Sequence, residues 1–404
     1  MRTQLAIGGR PAGQAKLKHR HPQLTNPQQE PSRVVIVYET EEAARDRLVA
    51  HGFAPDIAAE IAVYLAQATD LAERADELQA GLAAEGVSVD FVELDALPGR
   101  MEHLHARREG AILWCQTDGI RYYRGSAVSA LARLIGVARY GSPSDAQHLC
   151  QDKFASLSLA GAAGLPILPS LLLEADQEIA SLGKLDDQSM LFVKPATLGA
   201  KIGIFPDSRC RGLAAARSLS CRLWERYRDR ALVQPFIEGD DVRVTFMNTG
   251  KDFSAQLGIA RLLKDPRGEV GGAFMTMKDN ETLSGARDTS GGRGGFGATR
   301  QAAFVPKMID LKREAGPHAA QLVGAITSAA ARLARLLRLD DYFSIDFRVD
   351  STGRPIFLEF EVCPAVTIYD FQHYLETTHG LGLSAALARS LRIAFRRHRQ
   401  ATES

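Results

Sequence analysis

Long apolar runs are missing from this chain, and none approaches the roughly 18 residues of a membrane-spanning helix. No membrane role is therefore expected. Cysteine is scarce. The five present in 404 residues (Cys115, Cys150, Cys210, Cys221 and Cys363) are scattered without metal-ligand spacing, which points to reduced thiols and a cytoplasmic setting. An excess of charge is missing too. A net charge of +1 gives no global pull toward nucleic acid or a lipid surface. What is present, 45% hydrophobic and 24% charged residues, suits a soluble globular protein of two or three domains. Composition leaves the oligomeric state open, a homodimer included.

Residues 1–32 lack acids except Glu30, and they carry Arg2, Arg10, Lys16, Lys18 and Arg20 among many Gln, Pro and Gly. No hydrophobic segment follows these charges, so a disordered basic tail is expected rather than a secretory signal. At the other end, "RSLRIAFRRHRQ" (389–400) sets Leu391 and Phe395 at i, i+4 with arginines elsewhere. A solvated terminal helix with cations near its C-terminal dipole accounts for it without nucleic acid.

"RVVIVYE" (33–39), "VDFVEL" (89–94) and "AILWC" (111–115) read as strands. Between and after them run helical patterns, from Pro55 onward and over 126–137. The alternation implies an N-terminal α/β domain over 33–145. Strand character returns in "SMLFVKP" (189–195), then a helix (213–228) and "ALVQPFIEG" (231–239). A long helix, roughly 317–338, feeds a hairpin, "YFSIDFRVD" then "RPIFLEFEV", turned near Ser351-Thr352-Gly353.

The end of that hairpin, "FLEFEVCPAV" (357–366), puts Glu359 and Glu361 on one strand face. Two like charges side by side repel unless a cation joins them. A two-residue turn at Thr352-Gly353 pairs Asp346 with Glu359 on that face, whereas a three-residue turn pairs Asp346 with Leu358. In the first register three carboxylates and Arg348 converge. Oxygen-only ligands suit a hard cation such as Mg²⁺ bound to phosphates. The alternative is a surface hairpin laced with cross-strand charge pairs.

Taken in order, "CQDKFASLSLAGAAGLPILPS" (150–170), "FVKPATLGAKIGI" (192–204), "VQPFIEGDDVRV" (233–244), "YFSIDFRVD" and "FLEFEVCPAVT" resemble the ATP-grasp superfamily. The arrangement is most similar to the D-alanine–D-alanine ligase branch, and the resemblance covers roughly residues 33–395. It implies an N-terminal α/β domain followed by a two-subdomain ATP-grasp fold over 146–396, with ATP and Mg²⁺ as cofactors. By the same resemblance, Lys153 and Lys194 match lysines that contact ATP phosphates. Gln234 to Ile237 match the segment whose backbone contacts adenine, and Asp241 the acid that binds the ribose hydroxyls. Asp346, Glu359 and Glu361 match the Mg²⁺ ligands, which favours the two-residue turn.

The departures from the family pattern are specific. Ala200-Lys201 replaces a hydroxyl pair in the phosphate loop. Ser344 stands where a catalytic arginine is usual, two residues before the metal-binding aspartate, and Arg348 is the candidate to supply the missing charge. Glu361 replaces an asparagine, and "CPAVTIYDF" replaces the acceptor-pocket residues. The acid expected near the first strand has only Glu39 and Glu41 as candidates.

"GRGGFG" (292–297) satisfies the dinucleotide fingerprint G-x-G-x-x-G, yet no strand precedes it and no helical pattern follows, so it is rejected. The wider stretch 284–300 reads as a lid: its glycines permit large backbone changes, and Arg287, Arg293 and Arg300 could reach an anion. Arg348, Lys201 and Arg300 are thus the candidate catalytic cations.

The expectation is an ATP-dependent ligase joining a small-molecule carboxylate to an amine through an acyl phosphate. An amino-acid-like or natural-product substrate fits the altered pocket. The alternatives are a cell-wall D-alanine–D-alanine ligase and a non-catalytic nucleotide-binding regulator. If 284–300 is a lid, deleting most of 286–298 should reduce turnover far more than ATP binding. Paired calorimetry and ADP-release assays check this, and full activity in the shortened protein would exclude a lid.

Overall fold

The structure, a computed structural model, describes residues 30–69, 75–117, 125–199, 201–250, 258–263, 274, 307–314, 316–364 and 369–403. The basic tail up to residue 29, the 284–300 stretch with Arg287, Arg293 and Arg300, Ala200 and residues 365–368 lie outside them.

The first layer comprises β1 (Arg33–Tyr38), α1 (Glu41–Ala50), α2 (Pro55–Thr69), α3 (Ala75–Ala84), β2 (Ser88–Glu93), α4 (Met101–Ala106), β3 (Ala111–Gln116), α5 (Gly125–Leu134) and β4 (Ala138–Tyr140). Its strands form a sheet in the order β2-β1-β3-β4, parallel throughout. β1 is apolar at successive residues because helices cover both of its faces. Val34, Ile36, Ile112 and Trp114 face one core with Leu78 and Leu82 of α3. Val35, Val37, Leu113 and Cys115 face the other with Val128 and Ala132 of α5.

Next come α6 (Ser144–Cys150), α7 (Lys153–Ala162), β5 (Ser170–Glu174), β6 (Gln177–Leu182), β7 (Met190–Pro195), β8 (Arg209–Arg211), α8 (Gly212–Tyr227) and β9 (Ala231–Pro235). The second sheet runs β6-β5-β9-β7-β8, with each pair antiparallel. Its core includes Ala44 and Leu48 of α1 and Ile57, Ala58 and Ile61 of α2, packed with Leu173, Val193, Leu219 and Val233. The helical pair that follows β1 in the chain therefore completes the core of the second sheet.

The last part holds β10 (Gly239–Met247), β11 (Gly258–Leu263), β12 (Lys307–Asp310), α9 (Pro317–Leu336), β13 (Tyr342–Asp350), β14 (Pro355–Glu361), α10 (Tyr369–Tyr374) and α11 (Leu383–Glu403). The third sheet is β12-β11-β10-β13-β14, also antiparallel. Phe343, Ile345, Phe347 and Val349 turn one face of β13 toward Ile326, Ala330 and Leu333 of α9. That alternation leaves Ser344, Asp346 and Arg348 on the opposite face. At the start of β10 the strands approach so closely that a Cβ on Gly239 would lie 1.9 Å from the Val349 carbonyl oxygen. Only glycine fits there.

Polar contacts bind the first sheet to the third. Trp114 Nε1 and Gln116 Nε2 donate to the Tyr342 hydroxyl at 2.7 and 2.5 Å. Tyr140 stacks on Tyr342 with ring centroids 5.1 Å apart. Asp341, fully buried, accepts from Arg397 at 2.7 and 2.9 Å and from the Gly141 amide at 2.7 Å. Through Arg397 the basic end of α11 is thus a clamp on the residue before β13 as well as a solvated face. Leu387, Leu391 and Phe395 form its apolar stripe.

Asp341 adopts a left-handed backbone (φ 59°), which asparagine also tolerates. Asp341→Asn keeps that conformation and removes the charge that Arg397 needs. The substitution should cost about 1.5–3 kcal/mol of stability, measured by urea unfolding. An unchanged midpoint would show that the clamp carries no stability.

Candidate functional site

The hairpin of β13 and β14 decides whether its acids meet. Asp350 accepts from the amides of Thr352 and Arg354, the Gly353 amide donates to Asp350 O, and Gly353 is left-handed (φ 79°). These contacts make a three-residue turn, with Val349 opposite Pro355 and Phe347 opposite Phe357. The expected two-residue turn is not formed. Continued unbroken, this register would set Asp346 against Leu358. A β-bulge at Leu358 intervenes, so Asp346 faces Glu359 and Ser344 faces Glu361. The bulge lets Phe357 and Phe360 both enter the core while the acids share the other face.

β10 lies on the other side of β13, where Asp241 faces Arg348, Arg243 faces Asp346, and Thr245 faces Ser344. Cross-strand neighbours on one face are the pairs that interact in a sheet. Arg243 grips Asp346 with two hydrogen bonds of 2.9 and 3.0 Å and lies 3.7 Å from Glu361. Ser344 Oγ donates to Glu361 at 3.2 Å. Burial raises the pKa of Asp346, with Arg243 opposing the rise.

The lysines arrive from other elements. Asp152 caps α7 by accepting from the Ala155 amide, which places Lys153 at the first helical position. Lys153 Nζ donates to the Leu198 carbonyl at 2.7 Å and lies 3.3 Å from Glu359. Lys194 projects from β7 and is buried. Its pKa is lowered by burial and by Lys153, with Glu359 opposing. Burial alone would raise the Glu359 pKa, but Lys153 and Lys194 outweigh it and hold the carboxyl at about 2. The second sheet, α7 and the third sheet thus converge on one carboxylate.

The residues expected to lie along adenine, Gln234 to Ile237, span the end of β9 and the start of the linker to β10. Gln234 is buried with its amide donating to Ser170 Oγ at 2.9 Å. Arg348 Nε donates to the Ile237 carbonyl at 3.0 Å, and Arg348 Nη1 meets Asp241 at 2.6 Å. The guanidinium also lies 5.7 Å from the Phe236 ring centroid. This revises the expectation for Arg348, which ties Asp241 and the linker together while Arg243 is the guanidinium beside Asp346. The sequence offers one signal for Arg243: it alternates with Asp241 along "GDDVRV" and so shares its face. Lys201 stands after β7 in a left-handed turn (φ 63°), half-buried. Arg300 lies outside the described residues.

Glu39, one candidate for the N-terminal acid, is held at 2.7 Å by both Nε and Nη2 of Arg47. Glu41 is exposed in the first turn of α1. A groove of about 1020 Å³ beside α2 and α8 lies apart from these groups. Two of its arginines, Arg222 and Arg226, are already paired with Asp207 and Glu60.

The donor set of Asp346, Glu359 and Glu361 is all oxygen and suits a hard cation. Among the described residues, however, no group of three or more His, Cys, Asp or Glu is gathered to hold a metal, and Arg243 and Lys153 stand among the acids.

Comparison with solved structures decides the fold. A D-alanine–D-alanine ligase from Bacillus anthracis complexed with ATP superposes with a TM-score of 0.57 at 14% identity, covering 92% of this chain and 99% of that one. The chain thus has an ATP-grasp fold. The enzyme from Coxiella burnetii gives a TM-score of 0.52, also at 14% identity, covering 93% and 97%. In sequence, the chain is 22% identical over 247 residues to D-alanine–D-alanine ligase A of Pseudomonas putida, covering 61% of each. It is 27% identical over 264 residues to a D-alanine–D-alanine ligase of Citrifermentans bemidjiense, covering 65% of this chain and 72% of that one. The matched region thus spans about three fifths of the Pseudomonas relative's length. No family model matches the chain.

If Arg348 serves the linker, Arg348→Ala should lower stability by about 1–3 kcal/mol, because Asp241 and the Ile237 carbonyl lose a buried partner. Urea unfolding measures this, and an undiminished midpoint would return Arg348 to the list of free catalytic cations.

Proposed function

We propose that this chain is an ATP-dependent, ADP-forming carboxylate–amine ligase. The observation that carries the reading is Lys153, 3.3 Å from Glu359, on a sheet face that also bears Asp346 and Glu361, with the buried Lys194 close enough to help lower the pKa of that carboxyl. Point charges from two lysines suit a polyphosphate. The names of the relatives point to ATP-driven amide formation.

In the first step a substrate carboxylate oxygen attacks the γ-phosphorus of ATP. The bond from that phosphorus to the β,γ-bridging oxygen breaks, and ADP leaves with the electron pair. The amine nitrogen then attacks the carbonyl carbon of the acyl phosphate. Phosphate departs with the C–O electron pair, and the nitrogen releases its proton to solvent, leaving an amide. Lys153 and Lys194 neutralise charge on the phosphates. Asp241, held by Arg348, binds the ribose hydroxyls, and the Gln234–Ile237 segment lies along adenine. Mg²⁺ is the further cation that the resemblance implies for Asp346, Glu359 and Glu361, and Arg243 and Lys153 hold those acids as they stand.

The substrate is a small amino-acid-like or natural-product acid with an amine partner, since Cys363 stands where the pocket pattern differs. The relatives' names favour D-alanine for both roles, which makes the cell-wall ligase the second reading. ADP release over a panel of acids and amines that includes D-alanine separates the two. Release with ATP alone, or with no acid–amine pair, would count against a ligase.

Lys194→Ala should weaken Mg²⁺–ATP binding by about 1.5–3 kcal/mol, the worth of a charge-assisted contact. That corresponds to roughly 10–150-fold in Kd by calorimetry. Unchanged affinity would remove Lys194 from the phosphate site.

A further inference from the structure

We propose that Asp229 is a positioning residue for the two phosphate lysines, acting by fixing the chain segment 196–198 that lies between them. The inference rests on the ligase reading above and adds to it a residue that acts through others.

The segment borders both lysines. It follows directly on β7, whose last two residues are Lys194 and Pro195. Lys153 is bound to it twice. Its backbone amide donates to the Ala196 carbonyl at 3.0 Å, and its ammonium donates to the Leu198 carbonyl at 2.7 Å. An ammonium has three donors. With one on Leu198 and Glu359 at 3.3 Å, the direction of the third follows from where the Leu198 carbonyl stands. A shift of the segment therefore moves the ammonium of Lys153 relative to that of Lys194.

Asp229 holds the segment from a different element. Its Oδ2 accepts from the amides of Thr197 and Leu198 at 2.9 and 3.1 Å, and its Oδ1 accepts from Thr197 Oγ1 at 2.9 Å. The residue is 2% exposed. A carboxylate so deeply buried is tolerated only with its hydrogen bonds filled, and bonds to a charged acceptor are the stronger kind. The backbone delivers it there. α8 ends at Arg228 in the left-handed region (φ 51°), and the chain turns at once toward β9. β9 pairs with β7, with Ala231 opposite Pro195, and the Ala196 amide donates to the Arg230 carbonyl at 2.8 Å.

One residue joins the two ends of this path. Leu198 gives its amide to Asp229 and its carbonyl to Lys153. The buried carboxylate is thus two hydrogen bonds from an ammonium of the phosphate site.

The test compares wild type with Asp229→Ala, Asp229→Asn and Thr197→Val. Affinities for AMP and for ATP are measured by calorimetry at one Mg²⁺ concentration, with melting curves and the kcat/KM for ATP alongside. AMP keeps the base and ribose and lacks the β- and γ-phosphates, so the ratio of the two affinities reports on the lysines. Asp229→Ala should weaken ATP binding by about 10–100-fold, the scale on which a displacement of about 1 Å is felt, and leave AMP binding as it is. Asp229→Asn keeps an oxygen for the two amides and turns its NH₂ group to the Thr197 hydroxyl, so it should recover most of the ratio. A residue that serves stability alone would lower the melting temperature and leave the ratio unchanged.

An unchanged ratio in Asp229→Ala overturns this inference and leaves the ligase reading standing. Should that variant fail to fold, Thr197→Val, which removes only the bond to Oδ1, decides. A reduced ratio there sustains the inference and an unchanged one overturns it. A wild-type protein that binds ATP no more tightly than AMP would overturn the ligase reading, and this inference with it.

Discussion

Carboxylates crowded on one face of a sheet must be matched by cations within reach, and that demand shapes the centre of this molecule. Asp241, Asp346 and Glu359 follow one another across β10, β13 and β14, and each has its own cation: Arg348, Arg243 and Lys153. A charge left unmatched away from water is costly, whereas a matched pair with its hydrogen bonds filled is tolerated. Each pair also joins two elements. Arg243–Asp346 and Arg348–Asp241 cross from β10 to β13, and Lys153–Glu359 crosses from α7 to β14. The contacts that make the acids tolerable are therefore the ones that assemble the site.

This arrangement makes the site sensitive to how the second sheet sits on the third. Lys194 comes from β7, while its carboxylate neighbour Glu359 comes from β14. The placement of the second sheet is influenced in turn by α1 and α2, whose apolar residues complete its core although they follow β1 in the chain. The link from β1 to α1 is short, and there Arg47 holds Glu39 at both of its oxygens. On the opposite side, Asp341 and Tyr342 fasten the first sheet to the third. The first sheet and the helices α1 and α2 that follow β1 thus reach both the third sheet and the second.

Hydropathy and alternation were enough to find many of the elements, because each is a local pattern. Successive apolar residues in "RVVIVY" mean a strand covered on both faces, and the structure covers them. The i, i+4 stripe of Leu391 and Phe395 means an amphipathic helix, and α11 buries that stripe. The hairpin was harder. Its turn and its far end obey different registers, and the reconciling bulge at Leu358 arises from competition between Phe357 and Phe360 for the core and the acids for the opposite face.

By itself the sequence determined the order of strands and helices, the shared face of Glu359 and Glu361, and the resemblance to the ATP-grasp ligases. These follow from residues close together in the chain. Only the tertiary structure decided which cation serves which acid. Arg348 was the candidate for the charge missing at Ser344 because it shares a strand face with Asp346, yet two residues along a strand are farther apart than the neighbour directly across it. Arg243 is 103 positions away in the chain and one strand away in space, and hydrogen-bonding distance is set by the second separation.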